Sequence, residues 1–356
     1  MLVGEDPIRK RLALLGFVLT LLVQCVSARE LRVGVFGLLH PRRLIVTCPA
    51  GQLLILTAGS HQVSLSDGAP AFLELEGEYM RVRSRNDAFL ASDVHLAGAT
   101  GSGSDFLLSI PGGLARQFHG RLNVECGTGE LNAVVEMDLE TAVASAVAAE
   151  SVPGASLEAL KAQAVATRSF YLAAGPRHGQ VDFCDTTHCQ FLREPPSPQS
   201  LAAQAALATR GLVLLYEGSP VPALFTGSCG GRTRTLAEVG LAPAAYPFFS
   251  VICHYCAEHS PHWQVQLEAE VAAALADHSE ASRLRLGRIL GWDVVPGNNY
   301  ELRPCGDAVQ VEGRGKGHGV GLCQSGAACM ARLGHSFQEI LAYYYPNTSL
   351  AGAPVD

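Results

Sequence analysis

The chain has 356 residues, of which 48% are hydrophobic and 17% charged, and its formal net charge is −7. This length is sufficient for one large domain or for two smaller domains that each bury a hydrophobic core. Because the chain carries no excess of basic residues, we expect no nucleic acid among its partners.

The first 28 residues have the pattern of a signal peptide. Three basic residues at positions 9–11 precede the apolar segment LALLGFVLTLLVQCV, and Ser27 and Ala28 supply small residues at its end. This order predicts a signal peptide at residues 1–28, cleaved near Ala28, and therefore an exported protein of the periplasm or cell envelope. A retained membrane anchor is the alternative.

Residues 29–125 consist of short apolar runs separated by Gly, Ser, Asp and Pro, for example LRVGVFG, HQVSLSDG and FLLSIPGG. Such spacing is typical of successive β-strands and turns, and it predicts a β-rich accessory region. From residue 126 to 356 helical and strand patterns mix, so we expect an α+β protein with its second domain in this part.

Two predicted helices follow each other at the start of the second part. Apolar residues at 139, 143, 146 and 147 have helical spacing in DLETAVASAVAAE, and a break at VPG follows. Ser156 is a suitable N-cap for LEALKAQAVATRSFYLAAG, which should end near Gly175. Further helices are predicted near LAAQAALATRG, LEAEVAAALADH, SRLRLGRILG and SGAACMARLG.

Glu150 continues the apolar stripe of the first helix and is therefore a candidate general acid. A carboxyl group at the edge of an apolar helix face is partly desolvated, which raises its pKa toward neutrality. Arg168 lies on a stripe of the second helix, where it could hold an anionic substrate group or pair with Glu150. A glutamate in solvent or in a structural ion pair is the simpler alternative.

The segment RHGQVDFCDTTHCQ contains His178, Cys184, His188 and Cys189. Two thiolates and two imidazoles form a tetrahedral zinc site with no open position, so we expect a structural Zn²⁺ here. A disulfide between Cys184 and Cys189 is the alternative in an oxidising compartment. The pair Cys253 and Cys256 could be a second metal half-site, but a local disulfide or another structural role is favoured.

Several segments in the same order resemble the stage II sporulation protein D family, which includes relatives described as amidase enhancers. They lie between about residues 120 and 351: LEALKAQAVATRSF, CDTTHCQFL, SCGGRTRT, GHGVGLCQSGA and EILAYYYPNTSL. The resemblance implies a catalytic domain at 126–356 with a substrate groove. It also implies a lytic transglycosylase that cleaves the β-1,4 bond between N-acetylmuramic acid and N-acetylglucosamine and leaves 1,6-anhydro ends.

The resemblance assigns roles to individual residues. Glu150 corresponds to the glutamate of the family's E-M-P segment, although the proline is displaced by one position to Pro153. Glu158 is the rival carboxylate, and its place in the first helical turn suggests interaction with the helix dipole. Arg168 matches the arginine of the family's A-R-T/S segment, and some members carry zinc at the loop containing the four His and Cys residues. The expected substrate-binding residues are Arg168, Arg232, His318, Gln324 and Tyr344.

The resemblance leaves two functional classes open. The first is the enzyme, whose partners are peptidoglycan glycan strands. The second is a non-catalytic glycan-binding protein that stimulates a cell-wall amidase. A zinc-dependent amidase is disfavoured, because the His/Cys set has no free coordination position. The glycine-rich segment GRGKGHGVGLCQSGA lacks the order of a phosphate-binding loop, so its glycines are expected to allow close approach of the backbone.

Overall fold

The computed structural model describes residues 29–353, so the predicted signal peptide lies outside the described residues. Eleven strands follow one another up to residue 138, and alternating buried and exposed positions along them confirm the β-rich pattern. They are β1 (Glu30–Val35), β2 (Arg43–Thr47), β3 (Leu53–Ala58), β4 (His61–Ser66), β5 (Pro70–Glu76), β6 (Tyr79–Arg83), β7 (Ala88–Ala91), β8 (Asp93–Gly98), β9 (Ser104–Ser109), β10 (Ala115–Cys126) and β11 (Leu131–Asp138).

Helices and short strands alternate after residue 138, which confirms the α+β class. The first elements are α1 (Leu139–Glu150), α2 (Leu157–Ala173), β12 (Phe183–Cys184), α3 (Leu201–Ala208), β13 (Leu212–Tyr216), β14 (Ser219–Pro220) and β15 (Phe225–Thr226). The remaining elements are α4 (His254–His259), β16 (His262–Glu268), α5 (Ala269–Ala273), α6 (Glu280–Leu290), β17 (Tyr300–Cys305), β18 (Ala308–Arg314), β19 (Leu322–Cys323), α7 (Gln324–Arg332), α8 (Phe337–Tyr344) and β20 (Ser349–Gly352).

One predicted helix is partly wrong. The segment LEAEVAAALADH begins at Leu267, inside strand β16, and only the short helix α5 follows. Strand β16 pairs along its whole length with β18, so tertiary pairing overrides the helical propensity of these residues.

The large sheet joins the two parts of the chain. Strand β1 lies between β11, to which it is antiparallel, and β12, to which it is parallel. The expected boundary between residues 125 and 126 falls within β10, and one hydrophobic core contains residues of the sheet together with residues of α1, α2 and α3. The division into two domains stays a prediction.

Helix α2 lies between two hydrophobic cores. Leu160, Ala164 and Phe170 pack into the core of the large sheet, whereas Ala162 and Val165 pack into a second core formed with β13, β15, α7 and α8. Small alanine side chains allow helices and strands to approach α2 closely on both sides. No helix within residues 29–353 is long and apolar enough to cross a membrane.

A buried ion pair fixes the position of α1 on α2. The guanidinium of Arg168 donates to both carboxylate oxygens of Glu140, at 2.8 and 2.6 Å, and to the backbone carbonyls of Leu212 and Ala206. Its side chain has no exposed surface. Arg168 therefore pairs with Glu140 and not with Glu150, and its donors point into the protein. Its role in substrate binding stays a prediction.

We expect Arg168→Met to lower the free energy of unfolding by about 3–5 kcal/mol, because it leaves the partly buried carboxylate of Glu140 without its cation. Arg232→Met is the matched control. Its pair with Glu238 is on the surface, with 49% and 31% of the two side chains exposed, so removal should cost about 1 kcal/mol or less. Urea unfolding curves of both variants measure this, and an unchanged midpoint for Arg168→Met would contradict the structural role.

Candidate active site

Helix α1 carries Glu150 at its last residue. Asp138 is the N-cap of this helix, and its side chain accepts hydrogen bonds from the backbone N–H groups of Glu140 and Thr141 at 2.9 and 3.3 Å. It ends because Ser151 is extended and Pro153 follows two residues later. The apolar stripe that predicted the helix is buried, so Glu150 projects from the end of a well-packed helix.

Glu150 lines a cavity of about 620 Å³. One carboxylate oxygen, Oε1, accepts a hydrogen bond from the backbone N–H of Phe191. Burial raises the pKa of Glu150 to about 7, against the opposing effect of this hydrogen bond. The carboxyl group can therefore hold or release a proton near neutral pH.

The other acidic residues of the cavity wall are engaged in ion pairs. Asp185 contacts Arg116 at 2.7 Å and also accepts a hydrogen bond from the backbone of Phe36. Glu280 forms two hydrogen bonds with Arg283, at 2.7 and 2.6 Å. Among the described residues that line the cavity, Glu150 is the acidic residue without a basic partner.

Glu158, the rival carboxylate, lies outside this cavity. It contacts Lys161 at 2.7 Å and accepts a hydrogen bond from the backbone N–H of Phe337 at 2.8 Å. The first contact lies within helix α2 and the second joins α2 to the start of helix α8, so Glu158 has a structural environment.

His318 and Gln324 both lie in the cavity wall. The amide of Gln324 donates to the backbone carbonyl of Glu150 at 2.8 Å, which holds the end of α1 in place. Nδ1 of His318 accepts a hydrogen bond from the backbone N–H of Val320 at 3.0 Å. Burial lowers the pKa of His318, which favours the neutral ring.

Arg232 and Tyr344 do not lie in the cavity wall, and their role in substrate binding stays a prediction. Arg232 pairs with Glu238 on the surface. Tyr344 is 2% exposed and its hydroxyl group contacts the sulfur of Cys253 at 3.4 Å. Three tyrosines in a row cannot all face a groove, and Tyr344 belongs to the core.

Four residues of the cavity wall were not singled out from the sequence. Phe191 and Trp292 offer aromatic rings, and the side chain of Trp292 is 48% exposed. Arg288 and Lys316 are exposed cations in the same wall. The isolated tryptophan after helix α6 was the available signal, since an exposed aromatic ring is a common sugar-binding surface.

The glycine-rich segment forms part of the same wall. Gly315 has φ +82°, and a Cβ atom there would collide with the backbone carbonyl of Ser228. Backbone hydrogen bonds join Ser228 and Lys316 in both directions, at 3.0 and 2.8 Å. The glycines thus bring this segment against the turn at residues 227–231, and Gly227 and Gly317 both line the cavity.

The four predicted metal ligands lie together beside the active-site cavity. The ligand atoms of His178, Cys184, His188 and Cys189 are all within 4.8 Å of one another. Nε2 of His178 is 3.1 Å from the sulfur of Cys189. A hydrogen bond between the two thiols lowers the pKa of Cys184 and raises that of Cys189.

The loop with the four predicted ligands separates the candidate active-site cavity from a second cavity of about 710 Å³. Leu38, Thr186 and His188 are among the residues that line both. Strand β12 attaches Cys184 to Gly34 of strand β1. The loop that contains the four residues is therefore attached to the large sheet through Cys184, and Phe191, the partner of Glu150, follows two residues after Cys189.

These features define an α+β protein with one unpaired buried glutamate in the wall of a cavity. A family model described as stage II sporulation protein matches residues 127–216. The resemblance found in the motifs is confirmed over this segment, which matches the model of the stage II sporulation protein D family.

Curated relatives extend the similarity beyond that segment. Stage II sporulation protein D of Bacillus subtilis is 26% identical over 265 residues, which cover 62% of this chain and 76% of that protein. An uncharacterised protein of Brachyspira hyodysenteriae is 26% identical over 245 residues, so the chain spans 66% of its length. An amidase enhancer of Bacillus subtilis is 48% identical over 40 residues, or 11% of this chain and 6% of that protein.

Glu150→Gln should increase the free energy of unfolding at alkaline pH. The folded-state pKa of about 7 lies above the ordinary value of 4.5, so the neutral acid favours the folded protein below pH 4.5 and this contribution is lost as the pH rises through 7. The amide cannot ionise, and the gain over the wild type should reach up to about 3 kcal/mol at pH 8.5 and vanish at pH 4.

Urea unfolding at several pH values measures this difference. Glu158→Gln is the control, and its effect on the free energy of unfolding should have the opposite sign. Burial raises the pKa of Glu158, but contacts with Lys161 and Phe337 outweigh this effect and lower the pKa. That variant should be destabilised at pH 8.5 and approach the wild type as the pH falls below 4. Parallel pH profiles for the wild type and Glu150→Gln would contradict the raised pKa.

Proposed function

We propose that the protein is an exported peptidoglycan lytic transglycosylase that uses Glu150 as its acid and base. The family match and the amidase-enhancer segment support a function related to the cell wall. The observation that carries the finer proposal is the buried carboxyl group of Glu150, with a pKa of about 7 and no basic partner.

The reaction requires one carboxyl group. Neutral Glu150 donates its proton to the oxygen of the glycosidic bond, and this bond breaks with positive charge developing on the muramic acid ring. The 6-hydroxyl of the same sugar then attacks the anomeric carbon, and the Glu150 carboxylate takes up the hydroxyl proton. The products are a 1,6-anhydro end and a free 4-hydroxyl, and no water is consumed.

The surrounding contacts favour this mechanism over hydrolysis. A two-carboxylate hydrolase needs a second free carboxylate as nucleophile or base. Asp185 and Glu280 are held by Arg116 and Arg283. The Phe191 N–H group holds Oε1 of Glu150, which directs the other carboxylate oxygen to the glycosidic bond.

The cations and aromatic rings of the cavity wall suit a glycan without stem peptides. Removal of the peptide by an amidase exposes the lactyl carboxylate of muramic acid. Arg288 and Lys316 are exposed in the wall and take part in no ion pair with the described residues. They would bind this carboxylate, and Trp292 would stack on a sugar ring. If the protein prefers glycan without stem peptides, a cell-wall amidase that removes these peptides would be its partner.

The alternative function is a non-catalytic enhancer of a cell-wall amidase. The 48% identity over 40 residues to a protein named amidase enhancer favours it. Both functions use the same cavity for glycan, but only the enzyme requires a proton-transferring group.

Digestion of purified glycan strands separates the two functions. Wild type should release 1,6-anhydro products detectable by mass spectrometry, whereas Glu150→Gln should lose at least about 100-fold in rate, since general acid catalysis is removed. Glu158→Gln is the matched control and should retain activity. If wild type releases no such product from peptide-bearing or denuded strands, the enzymatic function is wrong.

We further propose a structural zinc ion at His178, Cys184, His188 and Cys189. Two thiolates and two imidazoles within the observed separations fit one tetrahedral ion, and they leave no position for water or substrate. The ion would hold the loop that carries Phe191 and thereby fix the orientation of Glu150. It would take no part in the proton transfers.

Replacement of Cys184 and Cys189 by serine should remove one zinc ion per chain and reduce glycan cleavage. Loss of metal should also lower the unfolding temperature, because binding free energy stabilises the loop only when it is folded. Elemental analysis and calorimetry measure both effects. Cys305→Ser is the control, since Cys305 is exposed and lies outside the cluster. Unchanged zinc content in the double variant would rule out this site.

A further inference from the structure

A second cluster of cysteines lies in the core formed by α2, α7 and α8. It consists of Cys229, Cys253, Cys256 and Cys323, whose exposed fractions are 1, 2, 0 and 0%. Their four sulfur atoms all lie within 4.8 Å of one another. A set of four thiols at such separations is uncommon in a core that needs only apolar packing.

Three segments far apart in the chain bring these thiols together. The parallel strands β15 and β19 place Cys323 beside Thr226, shortly before Cys229. The backbone N–H of Cys253 donates to the carbonyl of Gly231 at 2.8 Å, which fixes the start of helix α4 and hence Cys256. Each contact attaches one segment of the cluster to the next.

Groups that can donate a hydrogen bond lie within 3.4 Å of three of the four sulfur atoms. The backbone N–H groups of Cys229 and Gly326 both donate to the sulfur of Cys323 at 3.4 Å. The hydroxyl of Ser228 lies 3.3 Å from the sulfur of Cys256, and that of Tyr344 lies 3.4 Å from Cys253. Donors of this kind stabilise thiolates and are typical of the surroundings of metal-bound cysteine.

The cluster has little space for anything larger than a single ion. A Cβ atom on Gly326 would lie 2.6 Å from the sulfur of Cys253 and would also collide with the hydroxyl of Tyr344. Four thiolates around a tetrahedral zinc ion stand about 3.8 Å apart, given Zn–S bonds of about 2.3 Å. The sulfur atoms of Cys256 and Cys323 are 3.4 Å apart. An iron–sulfur cluster places several iron and sulfide ions between its ligands and requires wider separations.

We propose that Cys229, Cys253, Cys256 and Cys323 bind one zinc ion in a closed, structural site. The site is separate from the one at His178 and shares no residue with it. All four coordination positions are filled by sulfur, so the ion activates no water and its role is to hold the three segments together.

The site lies directly behind the wall of the active-site cavity. Cys323 immediately precedes Gln324, whose amide holds the backbone carbonyl of Glu150. The sulfur of Cys323 caps helix α7 by accepting the hydrogen bond from Gly326. A zinc ion at Cys323 therefore fixes the start of α7, and through Gln324 the end of α1. This positioning holds for an enzyme and for a glycan-binding protein alike.

The test uses Cys184→Ser/Cys189→Ser, which lacks two ligands of the first cluster and keeps the second intact. Wild type should contain about two zinc ions per chain and this variant about one. Cobalt exchanged into the variant should show the intense thiolate charge-transfer absorption of a four-sulfur site. Adding Cys253→Ser and Cys256→Ser should remove the last zinc ion, whereas adding Cys305→Ser should not.

Thiol chemistry on the folded wild type keeps the test independent of variants that fail to fold. The four buried cysteines should resist alkylation until a chelator removes zinc. Intact mass should show no disulfide among them. A protein whose Cys184→Ser/Cys189→Ser variant holds no zinc, or whose mass shows two disulfides within the cluster, would overturn the proposal. Neither measurement depends on glycan cleavage, so failure of the proposed enzymatic function leaves the result unaffected.

Discussion

The buried ion pair between Arg168 and Glu140 is the contact on which the rest of the site depends. The side chain of Arg168 is fully buried and that of Glu140 is largely buried. Their burial is tolerated because both carboxylate oxygens of Glu140 accept hydrogen bonds from the guanidinium, which also donates to two backbone carbonyls. The backbone N–H of Gly211 also donates to Glu140. The pair thus joins α1, α2, the end of α3 and β13, and the end of α1 is where Glu150 emerges.

The same pairing determines the electrostatic environment of Glu150. A cation close to this carboxyl group would stabilise its charged form and lower its pKa. Arg168 is instead committed to Glu140, three turns nearer the start of α1, and burial therefore dominates at Glu150. Two glutamates of one helix consequently have opposite surroundings: Glu140 has a cation and Glu150 has apolar protein and one backbone N–H group.

The local sequence pattern predicted much of this arrangement. Contacts between distant segments of the chain could not be predicted from it. Helical spacing located α1 and α2 and placed Glu150 at the edge of a buried face, because periodicity records which face is apolar. The same periodicity put Arg168 on a buried stripe but could not reveal its partner, since Glu140 lies on another helix.

Ligands within twelve residues, such as His178 and Cys189, could be grouped from spacing. Cys229 and Cys323 belong together only through the pairing of β15 with β19, so the four-cysteine cluster was not recognised as a unit. Trp292 was missed because its neighbours carry no recognisable motif.

The position of strand β1 has a consequence for how the chain folds. Val33 is paired on one side with Val135 and on the other with Phe183. The first strand of the described residues therefore has both edges open until residues far along the chain have followed it. Pairings between such distant residues form slowly, because a long loop must close before any contact is gained. Strand β1 therefore stays unpaired for longer than a strand whose partner is its neighbour in the chain, and its exposed edges are the last part of the large sheet to be covered.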